Sequence, residues 1–283
     1  MNTADTKTET AKILETEVKG GIGWITLSRP KKINALSAEL VAAAREQLAA
    51  FERDDSVRVI VLRGANGNFS VGYDIAQEVE MGLSRPEDWH AALTNNVGLS
   101  MAVWSSSKPT IAAVDGWCLA GACELAMACD IIVASDQAKF GEPEIRFGSG
   151  PVTLLMPFVL GQKKTMELLL TGDTIDAEEA ERIGLVNRVV APEALEETVQ
   201  TLASKIALTP LITLRLTKIA LTRAYEAMGL RNAVNVNLDL AATLNAAEAP
   251  EKAEFVELVR NQGLRKALDY RDRRYGALSE PKV

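Results

Sequence analysis

Histidine is nearly absent from this 283-residue chain: His90 is the single one. That excludes a multi-histidine metal site built within the chain and leaves one residue that could serve a Ser-His or Cys-His pair. His90 sits in a polar stretch that reads as mobile surface, so acid–base chemistry falls to carboxylates. Cysteine is scarce too. Cys118, Cys123 and Cys129 lack CxxC spacing and lie among apolar residues, which predicts buried thiols rather than zinc or redox work. No metal site is expected. No run of about 18 apolar residues occurs, so no membrane-spanning helix is expected. Positive charge is in deficit: 31 Lys and Arg against 38 Asp and Glu leave −7, which argues against a general affinity for nucleic acid or anionic membrane. The opening MNTADTKTET has no apolar core and no arginine, unlike secretory or mitochondrial targeting segments, and predicts a cytoplasmic protein.

What is present suffices for a large core, since 47% of the residues are hydrophobic. Residues 12–29 read as a hairpin, with strands Ile13 to Val18 and Trp24 to Leu27 around a Gly20-Gly21-Ile22-Gly23 turn. Arg29, Lys31 and Lys32 form a basic loop, either solvated or set to meet a phosphate. Ser37 is a predicted N-cap for a helix to Phe51 with Leu40, Val41, Ala44, Leu48 and Phe51 inward. Val57 to Leu62 reads as a buried strand. Asp74 and Gln77 have capping-box spacing, which brings the Tyr73 amide to a helix entrance.

Residues 79–107 are less regular. Trp89, Leu93, Val97, Met101 and Trp104 are expected in the core rather than in a pocket wall. Further on, the pattern predicts a helix over Pro157–Leu170, a cap at Asp176 with Glu179, a stop at Gly184 and a strand over Val186–Val190. From about residue 192 only helices are expected: one from Thr209-Pro210 to Gly229 with Leu214, Leu221, Tyr225 and Met228 on one face, then 230–247 and 250–262. The reading is α/β, with a core over 1–192 and a helical region over 193–283 that packs on the core or on a neighbouring subunit.

Pro109 to Pro151 is the stretch that carries chemistry. Strand Thr110–Val114, an Asp115-Gly116 turn and strand Trp117–Leu119 lead to Ala120-Gly121-Ala122, which is small enough for a ligand to approach the backbone. Gly121 then opens a helix, whose unpaired N–H groups favour a developing oxyanion. Glu124 falls in its first turn, and Glu144 follows strand Asp130–Ala134 by way of Pro143. Taken singly, a first-turn glutamate is a dipole partner and a glutamate after proline is solvated. Together with the Tyr73 amide as a second donor, they form the parts of an oxyanion hole with two acids.

The chain resembles the crotonase superfamily, the enoyl-CoA hydratase/isomerase group, over roughly its first 190 residues and more loosely to the end. The resemblance is carried by Asn34-Ala35-Leu36, the Phe69–Ile75 block FSVGYDI, the Lys108–Gly116 block KPTIAAVDG, the Gly121–Asp130 block GACELAMACD, the Phe140–Glu144 block FGEPE and the Ala180–Val186 block AERIGLV. It implies a spiral of ββα units, then helices that assemble trimers, often paired into hexamers. It makes the N–H groups of Tyr73 and Gly121 the oxyanion hole for an acyl-CoA thioester and Glu124 and Glu144 the acid–base pair. It sets Arg29, Lys31 and Lys32 near the CoA phosphates, and Val71, Asp74, Ile75, Trp117 and Val152 along the substrate. No cofactor is implied, since coenzyme A is part of the substrate. Both acids point to a 2-enoyl-CoA hydratase. The alternatives are an isomerase, a hydratase-lyase, a C–C hydrolase, or a non-catalytic acyl-CoA-binding or RNA-binding relative. Against the family pattern, Glu142 replaces a glutamine, Val152, Ala120 and Ala122 stand where glycines are common, and Tyr73 replaces a smaller residue.

Overall fold

The computed structural model describes residues 13–276; the amino-terminal stretch read for targeting signals and the last seven residues lie outside them. Strands β1 (Leu14–Lys19) and β2 (Ile22–Leu27) pair antiparallel about Gly20-Gly21. Both glycines have positive φ, 59° and 79°, the demand of a two-residue hairpin turn that follows strand twist. The turn is thus two residues, not four. Ile22 and Gly23 belong to β2, where a Cβ on Gly23 would lie 2.7 Å from the Phe51 ring.

That ring belongs to α1 (Ala38–Arg53), which Ser37 caps by accepting from the Leu40 amide at 3.3 Å; its buried face is the predicted one. Strand β3 (Val59–Gly64) leads to α2 (Ile75–Met81) and α3 (Pro86–Trp104). Residues read as irregular are therefore mostly one 19-residue helix. It is packed between α1 and a later helix, so apolar residues are spread around it and no single stripe appears. His90 rides on this helix, half-exposed, its Nε2 3.2 Å from Asp239 Oδ1. Then come β4 (Thr110–Val114), β5 (Trp117–Leu119), α4 (Gly121–Met127), β6 (Ile131–Ser135), β7 (Lys139–Gly141) and a 3-10 turn, Pro143–Phe147.

The predicted helix over Pro157–Leu170 is split into α5 (Met156–Val159) and α6 (Gln162–Thr171), because Leu160 is extended and Gly161 restarts the chain as N-cap. Strand β8 (Thr174–Asp176), α7 (Ala177–Arg182) and β9 (Arg188–Val190) follow, with Asp176 capping α7 through the Glu179 amide at 2.9 Å. Helices α8 (Leu195–Ala207), α9 (Leu211–Ala227), α10 (Leu230–Ala246), α11 (Pro250–Gln262) and α12 (Leu264–Gly276) complete the chain.

One sheet runs β1-β2-β3-β4-β6-β9, parallel except for β1, and a smaller one runs β5-β7-β8. From β4 onward each pair of strands (β4 and β5, β6 and β7, β8 and β9) divides between the two sheets, giving the mixed α/β architecture that the resemblance implies. The central parallel strands are apolar at most positions because both faces are covered. Ile60 and Leu62 face the main core; Val59 and Val61 face α8 through Val199 and Ala203. Helix α10 lies along α3. The α11–α12 hairpin, turning at Gly263 with φ +86°, closes Phe255, Val259 and Ala267 over Ile75, Val79 and Phe147. Among the described residues no helix is long and apolar enough to cross a membrane.

Candidate active site

Glu124 sits in the first turn of α4 and is fully buried. Its Oε1 accepts from the amides of Val152 (2.5 Å) and Thr153 (2.6 Å), while Oε2 has no partner among the described residues. Burial pushes its carboxyl up to about 7 against the pull of those two amides. Glu144 lies on the 3-10 turn, which Pro143 starts and Gly148 ends at φ +83°. A loop glutamate expected in solvent is here 7% exposed, and its Oε2 is also unpartnered. Burial, then the charge of Glu124, raises it well above the ordinary carboxylate range. Glu142, 3% exposed with an unpartnered Oε2, is raised by burial and by both other acids. Three carboxyls in so dry a place cannot all ionise near neutrality, so they titrate as a group.

Two amides complete the arrangement. Leu36 donates to Gly72 O (2.8 Å) and accepts from Asp74 N (3.2 Å), the pattern of a parallel bridge, so the Tyr73 N–H between them faces away from Leu36. Neither it nor the Gly121 N–H donates to any described residue. Their segments touch: a Cβ on Gly72, at φ +87°, would lie 2.6 Å from Ala120 Cβ and 3.1 Å from Gly121 N. Ala120 itself holds φ +56°, ψ −137°, a conformation that suits glycine, anchored by its amide on Gly141 O at 2.8 Å. Backbone strain of this kind gathers at working sites. Asn34, fully buried, steadies the loop before Leu36 by donating to Ala65 O and Asn68 O, both at 2.8 Å.

A cavity of about 280 Å³ adjoins these groups. Of the residues named from the sequence, Lys32, Val71, Tyr73, Asp74, Ile75, Glu144 and Val152 line it. Gly121 and Glu124 lie behind its wall, with the Tyr73 ring resting against Gly121. Lys31 and Trp117 are not on the lining, and Trp117 is 41% exposed. Arg29 is spent internally: its guanidinium donates to Ala35 O (2.6 Å) and pairs with Asp74 Oδ2 (2.9 Å). Asp74 also caps α2 through the Gln77 amide, but the Gln77 side chain accepts from Ala38 N, so the box is half made.

Trp89 and Leu93 are buried in the main core, as expected, and also border the cavity. The sequence reading missed Leu264, Leu268 and Arg271 on α12, which close another side. Their i, i+4, i+7 spacing marks a shared face, though not what that face meets. The three cysteines are free and buried, and no group of three His, Cys, Asp or Glu among the described residues is placed to hold a metal ion.

Among the described residues, the site thus holds two backbone N–H groups without an acceptor and three buried carboxyls with one unpartnered oxygen each. A family model described as enoyl-CoA hydratase/isomerase matches residues 17–258. A Rhizobium meliloti (strain 1021) protein described as a probable enoyl-CoA hydratase is 41% identical over 251 residues, 84% of this chain and 96% of that protein. A Dictyostelium discoideum protein, described as a probable mitochondrial enoyl-CoA hydratase, is 39% identical over 75% of this chain and 76% of its own. The crystal structure of an enoyl-CoA hydratase/isomerase from Xanthobacter autotrophicus Py2 superposes with a TM-score of 0.90 at 38% identity, covering 93% of this chain and 98% of that one. With the parts of the site in place and a match over most of its length, the chain belongs to the enoyl-CoA hydratase/isomerase family.

Proposed function

We propose that the protein adds water across the 2,3-double bond of a 2-enoyl-CoA thioester. The observation that carries this reading is the pair of buried, unpartnered oxygens, Glu124 Oε2 and Glu144 Oε2, beside two undonated amides. The thioester oxygen would lie at the Tyr73 and Gly121 N–H groups. The ionised carboxylate takes a proton from water as the water oxygen bonds to C3, and the displaced electron pair gathers on the thioester oxygen as an enolate. As that pair returns, C2 takes the proton of the protonated acid. Both amides serve a charge absent from the ground state; loss of one such donor typically costs about 10²–10³ in rate. Burial keeps one acid protonated while the other works as base. The scheme uses no metal or redox group, and coenzyme A enters with the substrate, its phosphates toward Lys32.

The hydratase names of the relatives support this reading. A trimer, or a pair of trimers, would cover the apolar side chains that α9 and α10 leave exposed, among them Leu216, Leu221, Met228 and Leu240. The experiment is loss of enoyl-thioester ultraviolet absorbance with crotonyl-CoA and longer enoyl-CoAs, with the product mass checked. Wild type should hydrate at least one, while Glu124→Gln and Glu144→Gln fall by about 10²-fold or more with binding kept. Bound esters with no turnover, or an unimpaired Glu144→Gln, would remove the assignment.

A further inference from the structure

Trp89 and Leu93 are four residues apart on α3 and so share one face of the helix. That face borders two spaces at once. On one side is the main cavity of about 280 Å³; on the other is a chamber of about 70 Å³, lined also by Leu36, Met81 and Ala92. Tyr73, Asp74 and Glu78 border both spaces as well. Tyr73 is engaged elsewhere, with its ring against Gly121, and Asp74 is tied to Arg29 and to the Gln77 amide. The indole of Trp89 is the largest side chain in this partition, and the residue is only 8% exposed. It is also braced. Lys252 Nζ lies 5.7 Å from the ring centroid and donates to Asn245 O, while a Cβ on Gly148 would lie 2.9 Å from Lys252 Cβ. Asn245 in turn accepts from Ser149 Oγ at 3.0 Å. Helices α3, α10 and α11 and the loop before Pro151 thus meet around one ring, which makes it a wall rather than a swinging gate.

In the acyl-thioester reading, the thioester oxygen sits at the Tyr73 and Gly121 amides, C2 and C3 lie beside Glu144, and Lys32 meets the phosphates. The end of the acyl chain is then left to the apolar wall of α3. An apolar pocket rewards each methylene it covers by about fourfold in affinity and rejects one that meets a closely packed ring. We propose that Trp89, with Leu93 one turn on, sets the length of acyl chain the protein accepts, by ending the main cavity short of the chamber. The inference rests on the acyl-thioester reading and adds to it the residue that limits the substrate. The chamber has room for a few heavy atoms, so the wall withholds about two to four carbons of chain.

The test is calorimetric titration of the full-length protein with saturated CoA thioesters from butanoyl to dodecanoyl. In the wild type, affinity should climb with each added pair of carbons and then stop. Trp89→Leu and Leu93→Ala, each checked by a thermal melt, should move that limit outward by about two to four carbons. The first ester beyond the wild-type limit should then bind about tenfold tighter to the variant. Leu99→Ala is the control: Leu99 is buried on the same helix but lies on neither lining, so its cavity should leave the limit in place. A wild-type affinity that climbs all the way to dodecanoyl overturns the assignment. So does a limit that stays put in both wall variants, or one that Leu99→Ala moves as far. Saturated esters undergo no hydration. A limit that moves in a protein that hydrates no enoyl ester would therefore keep the wall and remove the hydratase reading, while brisk hydration with an unmoved limit would do the reverse.

Discussion

A Cβ placed on Gly121 would lie 2.2 Å from Cε2 of Tyr73 and 2.6 Å from its Cδ2, so the tyrosine ring rests directly on the glycine Cα. The two residues proposed as oxyanion donors are thus held at their separation by a side-chain contact as well as by the backbone. Gly121→Ala must push the ring aside. It should lower kcat by about 10²-fold, the scale of losing one donor, and cost about 1–3 kcal/mol through overpacking. Steady-state kinetics beside a thermal melt checks this, and wild-type kcat would show that the ring yields freely.

Glu142 is buried beside two other carboxyls, and its burial makes it a pH-dependent burden. Its folded-state pKa lies well above the ordinary 4.5 of the unfolded chain. Below about pH 4.5 both states hold the proton and nothing is lost. Above it the unfolded chain releases a proton that the folded protein keeps, so stability declines with pH until the folded group also ionises. Glu142→Gln removes that slope. The variant should melt close to wild type near pH 4.5 and higher at pH 8, by about 2–4 °C for each kcal/mol recovered. A melting difference that does not grow with pH would mean Glu142 is relieved by contacts outside this chain.

Arg29 and Lys32 were read together as one basic loop, but they should fail differently. Arg29 braces Asp74 and the Ala35 carbonyl from a largely buried position, so Arg29→Ala leaves a buried carboxylate with the Gln77 amide alone. A loss of about 2–4 kcal/mol is expected. Lys32 lines the cavity without such a role, and Lys32→Ala should raise KM for CoA thioesters a fewfold with melting unchanged. Equal KM in that variant would take Lys32 out of the site.

These contrasts mark what a sequence can and cannot disclose. Caps at Ser37, Asp74 and Asp176 were legible because the side chain and the amide it meets are three residues apart. The strands were legible because burial on both faces leaves unbroken apolar runs. Helix α3 was obscured by the same cause, since a helix packed on two sides shows no stripe. The blocks around Tyr73, Gly121, Glu124 and Glu144 named the candidate residues, but spacing could not reveal that Arg29 is claimed by a residue 45 positions away. Nor could it disclose that a glutamate after proline turns inward, or that α12 folds back to wall the cavity.

The last of these features ties the C-terminal hairpin to the proposed chemistry. The rings of Phe147 and Phe255 stack with centroids 5.0 Å apart at 15°, joining α11 to the short turn that carries Glu144. A five-residue 3-10 turn has little hydrogen bonding of its own to fix a side chain, so its orientation depends on what packs against it. Phe255 is 4% exposed, and Phe255→Ala should cost about 3–5 kcal/mol as a cavity. The loss is expected to be local, through release of α11 and α12. Hydrogen exchange should then rise over Pro143–Phe147 and the hairpin before the parallel sheet is affected. Because Glu144 would lose its fixed direction, kcat should fall by more than KM rises. An exchange increase spread evenly over the β2–β4 strands would show instead that the hairpin and the core unfold as one unit.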